Sequence, residues 1–365
     1  MDARYAYVVG LVVALAAAAR WRALRRDSPI DPHPTQLPIP PPPTGVYAPN
    51  AHLHKLHRLA DGALPNPEDL VVSRDGRFLY AACSDGWIKQ IHLSSGHVRN
   101  WTLVPGSGRP LGLALGLHGE VLACEPSLGL LNITEGKVTT LSDDVCGMKF
   151  KFADALDVSR EDGSIYFTDA STKFGYGASN LDVLEGRPNG RLLKYDPSTG
   201  TTTVLATGLH FPNGVAVSKD NSFLVVCETS KVRCGRLWLK GSQKGKLETF
   251  IDNLPGYPDN IHRTERGTFW IGLVSGRSLL METVMSFPFV KHLFATPQGM
   301  KFLDVAYSRM AKVLEVSDQG EPLRYMEDPN GKAIGFVTCA LEHKNHLYLG
   351  GLASDFVGRL SLEQI

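Results

Sequence analysis

The chain has no CxxC pair and no cysteine–histidine spacing of the kind that holds zinc, which excludes a zinc-built scaffold. It also lacks a basic stripe. Residues 1–26 hold five Arg and one Asp, while the remainder carries 33 basic and 36 acidic residues. A nucleic-acid partner is therefore not expected, and the N-terminal basic cluster reads as a targeting flank. Long apolar runs are scarce as well. The stretch Tyr5 to Ala19 is 15 residues, short for a full membrane span but long enough for a signal-peptide core. Residues 1–26 thus read as a signal peptide, for which Ala16 and Ala18 permit cleavage, or as an uncleaved membrane anchor. Four arginines follow the run and only Arg4 precedes it, an order that favours a cytosolic C-terminal side.

The six cysteines are few and scattered. Cys83, Cys124 and Cys227 share one register, late in a strand-like run, as small buried side chains do. Cys234 lies seven residues after Cys227 across a plausible hairpin, and spacing leaves a bridge there open. Two tripeptides, Asn100-Trp-Thr and Asn132-Ile-Thr, are glycosylation acceptors. Together with the N-terminal apolar run they predict a lumenal or secreted globular part.

From Asp27 to Asn50 the chain holds nine prolines, which predicts an extended linker without helix or central strand. Residues 51–365 are repetitive. Equivalent segments begin near Pro67, Pro110, Ala153, Pro212, Pro258 and Val337, at spacings of 43, 43, 59, 46 and 79 residues. Each joins a short apolar run, a polar turn and a second run such as "FLYAAC", "IYFTDA", "FLVVCE" or "TFWIGL". Such a unit reads as one antiparallel blade, and six blades predict an all-β, six-bladed propeller. The long last gap predicts an insertion in blade five. Within it Leu279, Leu280, Val284 and Phe287 have helical spacing, as in a helix or cap over the ring or against a blade's outer surface.

Four oxygen-bearing residues recur just ahead of the first run of a repeat: Glu68, Asp154, Asn213 and Asp259. If that run is the innermost strand, their side chains converge on the axis. Mixed carboxylate and amide oxygens are what a hard cation such as calcium requires. The bland alternative is turn capping, ordinary chemistry for Asp and Asn before a strand. His262 shares the face of Asn260 if the strand is regular, and is a candidate general base. Packing is the commoner role for such a histidine, and His210 is a lesser candidate.

The stretches "FADALDVSREDGSIYFTDASTKF", "NGRLLKYDPSTGTTTVLATGLHFPNGVAVS", "GYPDNIHR" and "LEHKNHLYLGGLASDFVGRLSL" resemble the strictosidine synthase-like family. The resemblance is nearest to the adipocyte plasma membrane-associated protein-like branch and its plant-type members, and it runs from about residue 60 to the C-terminus. It implies a six-bladed propeller distantly similar to paraoxonases and other calcium-dependent lactonases. In true strictosidine synthases the condensation of an amine with an aldehyde depends on a glutamate at the start of the last blade. Thr338 stands there in this chain, and a hydroxyl's pKa lies far from that of a useful base. Those synthases also carry glycines where this chain has Asn213 and Asp259.

By resemblance to paraoxonases, Glu68, Asn213, Asp259 and Asn260 match the catalytic-calcium ligands in type and order, and Asp154 replaces an asparagine. Asp69 matches a ligand of a second, structural calcium whose partner aspartate aligns with Ala155, so a second ion is not expected. The histidine proposed as lactonase base aligns near Leu111 and is absent. The expectation is therefore a hydrolase of small apolar or aromatic esters or lactones, arylesterase-like, with one calcium ion on the axis. Its location is expected to be the endomembrane lumen, at the endoplasmic reticulum membrane, with the vacuole or secretion as alternatives. The N-terminal segment would provide membrane contact if uncleaved, and nothing indicates an oligomeric state. The alternatives are a condensing lyase, disfavoured by Thr338, and a non-enzymatic, membrane-tethered binding propeller.

Overall fold

The computed structural model describes residues 3–106, 108–306 and 309–365. Six four-stranded antiparallel sheets form the blades of a β-propeller. Their innermost strands are Leu70–Val72, Leu113–Leu115, Ala153–Val158, Pro212–Val217, Gly256–Arg263 and Val337–His343. These strands touch in cyclic order, each against the next, and the last returns to the first. The outermost strand of blade six is His57–Leu59, which pairs with Val357–Ser361 and closes the ring with the two ends of the globular part.

One apolar cluster fills each seam between neighbouring blades. The strand Phe223–Glu228 shows why the second run of each repeat reads as almost continuously apolar. Phe223, Val225 and Cys227 pack toward blade five, while Leu224 and Val226 pack toward blade three. Side chains alternate across a strand, so a strand buried on both faces needs apolar residues at every position. Each Val or Leu so buried contributes roughly 1.5–3 kcal/mol.

Among the described residues five helices accompany the ring: α1 (Ala3–Arg26), α2 (Ser179–Glu185), α3 (Leu279–Ser286), α4 (Pro288–Phe294) and α5 (Pro297–Ala306). The last three lie between the second and third strands of blade five and form the expected cap. The helical spacing is present, but the buried stripe is Met281, Val284 and Met285, whereas Leu279 and Leu280 are exposed. Ser278 is the reason. Its hydroxyl accepts from the Met281 N–H and caps α3, which leaves the two leucines on the outer side of the first turn. The cap packs on α2, an insertion in blade three that the spacing of 59 residues absorbed unnoticed. Ile30, Leu184, Met281, Val284 and Leu303 share one apolar cluster there.

Residues 27–50 are extended apart from one 3-10 turn at Gly45–Tyr47. They lie bound along the cap. His33 N–H donates to Glu185 O and Thr35 N–H to Met285 O, both at 2.8 Å. Lys291 Nζ donates to His33 O, and Arg277 Nη2 to Pro38 O at 2.6 Å. Cys227 and Cys234 face each other on paired strands of blade four and form a disulfide. Cys83, Cys124 and Cys339 are buried thiols, and Cys146 is exposed. Among the described residues no helix is long and apolar enough to cross a membrane.

Candidate metal site on the propeller axis

The expected ligands sit where the ladders are irregular. Register shifts fall between Ala153 and Leu156, between Pro212 and Val215, and between Pro258 and Ile261. Asp154, Asn213, Asp259 and Asn260 therefore occupy β-bulges, which re-aim side chains at the end of a strand. Glu68 precedes the inner strand of blade one, and its N–H donates to Ala82 O at 2.8 Å. All five residues are buried. Asn66, Phe211 and Phe336 each lie two residues ahead of an inward side chain and have φ of 47°, 53° and 50°. A left-handed conformation costs a residue with a side chain roughly 1–2 kcal/mol, and strain of this kind gathers at functional sites. Gly214 is needed for a different reason. A Cβ on it would lie 2.5 Å from Asp259 O and 2.6 Å from Ile261 N, so only glycine lets blade four press against the bulge of blade five.

Glu68 Oε2, Asp154 Oδ2, Asn213 Oδ1 and Asp259 Oδ1 are buried and have no hydrogen-bond partner. Eleven buried side-chain atoms lack a partner among the described residues, and these four are acceptors that come from four different blades. Burial, then the neighbouring Asp69, pushes the Glu68 carboxyl up to about 8, against the pull of Arg109 and the Asn260 hydrogen bond. Asp154 and Asp259 are held well above the usual carboxylate range, first by burial and then by the charge of Glu68, with Asp169 adding to the effect on Asp154 and Asp154 to that on Asp259. The site is thus short of positive charge and of donors. A divalent cation would supply that charge, and the unpartnered oxygens are of the type that would hold it.

Among the described residues, one trio of metal-ligating side chains closes to within 4.8 Å: Asp69, His262 and Cys339. Glu68, Asp154 and Asp259 form no trio so tight. Ligands on opposite sides of a calcium ion stand roughly 5 Å apart, so an open spacing suits them. Asp69 is already satisfied by protein. Its Oδ1 accepts from Leu70 N–H and pairs with His262 Nε2 at 2.7 Å, and its Oδ2 accepts from Leu113 N–H.

Two cavities lie at the ends of the axis. One, of about 250 Å³, lies under the cap and reaches Asn213 and Asp259. Phe211, Tyr257 and Phe336 form its walls, and its roof is Met281 and Met285 of α3 with Thr35 and Leu37 of the N-terminal segment. The other, of about 530 Å³, opens at the opposite mouth and is lined by Asp157, Arg160, His262 and Arg263. Of the two, only the capped cavity is lined by Asn213 and Asp259. His262 does share the inward face of Asn260, but it sits one level further along the axis, bonded to Asp69. Burial lowers its pKa, and Asp69, Asp157 and Glu68 outweigh that and raise it. His210 lines neither cavity, and burial pulls it down to about 4. Asn100 is exposed on the outermost strand of blade one, whereas Asn132 is half-buried on the third strand of blade two.

Two residues of the axis were not singled out by sequence reasoning. Cys339 is one. Arg109 is the other: buried, donating from Nη1 to Asn66 O at 2.9 Å, it opposes the raised pKa of both Glu68 and Asp154. Its signal lies in register, because Arg109-Pro110 stands where Asn66-Pro67 and Phe211-Pro212 stand in their own blades.

Residues 154–242 match the strictosidine synthase family model, and residues 45–91 match the model for the N-terminal part of strictosidine synthase-like proteins. Strictosidine synthase-like 6 of Arabidopsis thaliana is 38% identical over 305 residues, covering 82% of this chain and 80% of that protein. The chain belongs to the strictosidine synthase-like family. The adipocyte plasma membrane-associated protein of Rattus norvegicus is 34% identical over 377 residues, covering 97% of this chain and 99% of that one. Among solved structures, a putative gluconolactonase superposes with a TM-score of 0.60 at 16% identity, covering 84% of this chain and 91% of that one. Regucalcin of Agrobacterium tumefaciens, described as a calcium-binding protein, gives 0.57 at 15%, covering 83% and 92%. At these identities the structural likeness establishes the propeller fold.

Proposed function

We propose that this member of the strictosidine synthase-like family is a calcium-dependent hydrolase of small esters or lactones, with an arylesterase-like preference. The observation that carries the reading is the set of four partnerless oxygens on Glu68, Asp154, Asn213 and Asp259, two of whose residues floor an apolar cavity. Carboxylates mixed with an amide suit calcium better than magnesium. A bound calcium ion polarises an ester carbonyl and stabilises the oxyanion.

The chain's own residues do the rest. Asn260 Nδ2 donates to Glu68 Oε1 at 2.8 Å and fixes that carboxylate, leaving Oε2 free for the ion. Phe211, Phe336 and the two cap methionines exclude water and favour an apolar or aromatic substrate of small size. Gluconolactonases and a calcium-binding regucalcin among the structural neighbours support both parts of the reading. The Cys227–Cys234 disulfide and the two sequons support a lumenal place, since such bridges are rare in the cytosol. The name of the rat relative, a plasma membrane-associated protein, supports membrane association.

Condensing-lyase chemistry is disfavoured by Thr338. It is buried, and its hydroxyl donates to Glu68 O at 2.5 Å, so neither a base nor a free proton acceptor stands there. A binding propeller with a structural ion is the second reading, favoured by Leu111 and by the engagement of His262 with Asp69. The deciding experiment is turnover of a panel of aryl esters and lactones, with and without chelator, by the wild type and Asp259→Ala. Calcium-dependent turnover lost in the variant supports the hydrolase. Turnover indifferent to chelator refutes the metal's role, and none at all selects the binding protein.

A further inference from the structure

The outer face of the cap is unusually apolar. Leu279 is 84% exposed, and Leu280, Phe287, Phe289, Leu293 and Phe302 are each about half exposed or more. The rings of Phe287 and Phe289 lie 5.8 Å apart, as do those of Phe294 and Phe302, so these side chains form a surface and not scattered points. Elsewhere on the ring, exposed large apolar residues stand singly on strands and turns. A concentrated patch of this kind marks a docking surface.

What covers it is indicated by its neighbour. Helix α1 touches α4, with Trp21 edge-on to His292 at a centroid distance of 5.8 Å. Ser28 just beyond α1 shares a hydrogen bond with His292 Nδ1 at 2.8 Å. Leu11, Val12, Val13 and Leu15 of α1 are exposed, and residues 3–26 contain no acidic side chain. Arg20, Arg22, Arg25 and Arg26 are exposed at its cap-side end. Apolar side chains, aromatic rings and an adjoining arginine cluster are the combination that enters the boundary between acyl chains and anionic headgroups.

We propose that the blade-five cap, α3 to α5, docks together with α1 on an anionic lipid bilayer. The inference is independent of the hydrolase reading, because it concerns the outer side of the cap and not the axis. A second copy of the chain would bury the leucines and phenylalanines, but Arg20, Arg22 and Arg25 alongside match lipid phosphates, while Arg26 is paired with its neighbour Asp27.

The test uses the full chain with vesicles of phosphatidylcholine, alone or mixed with phosphatidylserine. Hydrogen exchange of amides 279–302 should slow on adding the mixed vesicles, while amides on the opposite mouth, around His262, stay unchanged. A chain carrying Leu280→Asp and Phe289→Asp retains α1, and should lose about tenfold in partition onto the mixed vesicles with its melting temperature preserved. Unchanged exchange at 279–302 in the unmodified protein overturns the proposal, as does equal partition of the doubly substituted chain. Sedimentation without lipid covers the other occupant. A dimer that the two substitutions split, with no vesicle protection, assigns the patch to a second copy.

Discussion

Asn260 on blade five donates to the carboxylate of Glu68 on blade one, reaching past blade six to join two strands across the ring. Directly beneath, His262 makes the same crossing to Asp69. Two layers of the axis are thus cross-linked by polar pairs, and only the upper one leaves oxygens without partners.

Removing the ion should expose that imbalance. Like charges about 5 Å apart repel by on the order of 3 kcal/mol at an effective dielectric near 20, until protonation relieves them. Chelation is therefore expected to lower the melting temperature as well as any esterase activity. Asp259→Ala should abolish cation binding in calorimetry, and Asp259→Asn, which keeps one oxygen, should be milder. Equal heats of binding for the wild type and Asp259→Ala would remove Asp259 from the ligand set.

Gly214→Ala should be far more costly than an ordinary glycine substitution in a strand. The added methyl meets backbone atoms of blade five that cannot rotate away. A loss of several kcal/mol by denaturant unfolding is expected, where relief of chain entropy alone would give a gain of roughly 0.4–1 kcal/mol. A stabilised variant would mean that blades four and five are free to part.

Asp182 on α2 offers a pH handle away from the axis. Burial raises its carboxyl to about 6, although Ser171 and Asn189 donate to it. A raised carboxyl contributes stability that is full below its unfolded value and is lost as the pH rises through the folded one. The wild type should lose on the order of 3 kcal/mol between about pH 4 and pH 7 from this group. Asp182→Asn should flatten that slope. Parallel stability curves for the two proteins would show that Asp182 ionises normally.

Glycosylation should be uneven. Asn100 is exposed on an edge strand, and Asn100→Gln is expected to change electrophoretic mobility as endoglycosidase does. Asn132, with a buried and unpartnered Oδ1, should matter less. If neither substitution nor endoglycosidase alters mobility, the basic cluster after Tyr5 to Ala19 is the better guide to topology.

The repeat was legible because strands such as Phe223–Glu228 are buried on both faces, which writes an apolar run into every blade. Glu68, Asp154, Asn213 and Asp259 were legible because the ring places them in one register. Other parts had no such signature. His57–Leu59 is too short to carry a pattern, and its partner lies at the far end of the chain. Thr35 and Leu37 sit in a proline-rich stretch whose composition says extended but not what it lies against. Leu279 and Leu280 had the right spacing for a helix, and the Ser278 cap turned them outward. Arg109 is visible only once blades are aligned by their prolines.

Because His57 pairs with Arg359, the first strand of the propeller to leave the ribosome is the last to find its partner. The early blades must wait with an unclosed seam until the C-terminal strands are made. A truncation of even the final strand should therefore leave blade six with an open edge and His57–Leu59 without its partner, a chain prone to pair with its neighbours and not a ring that is merely one strand smaller.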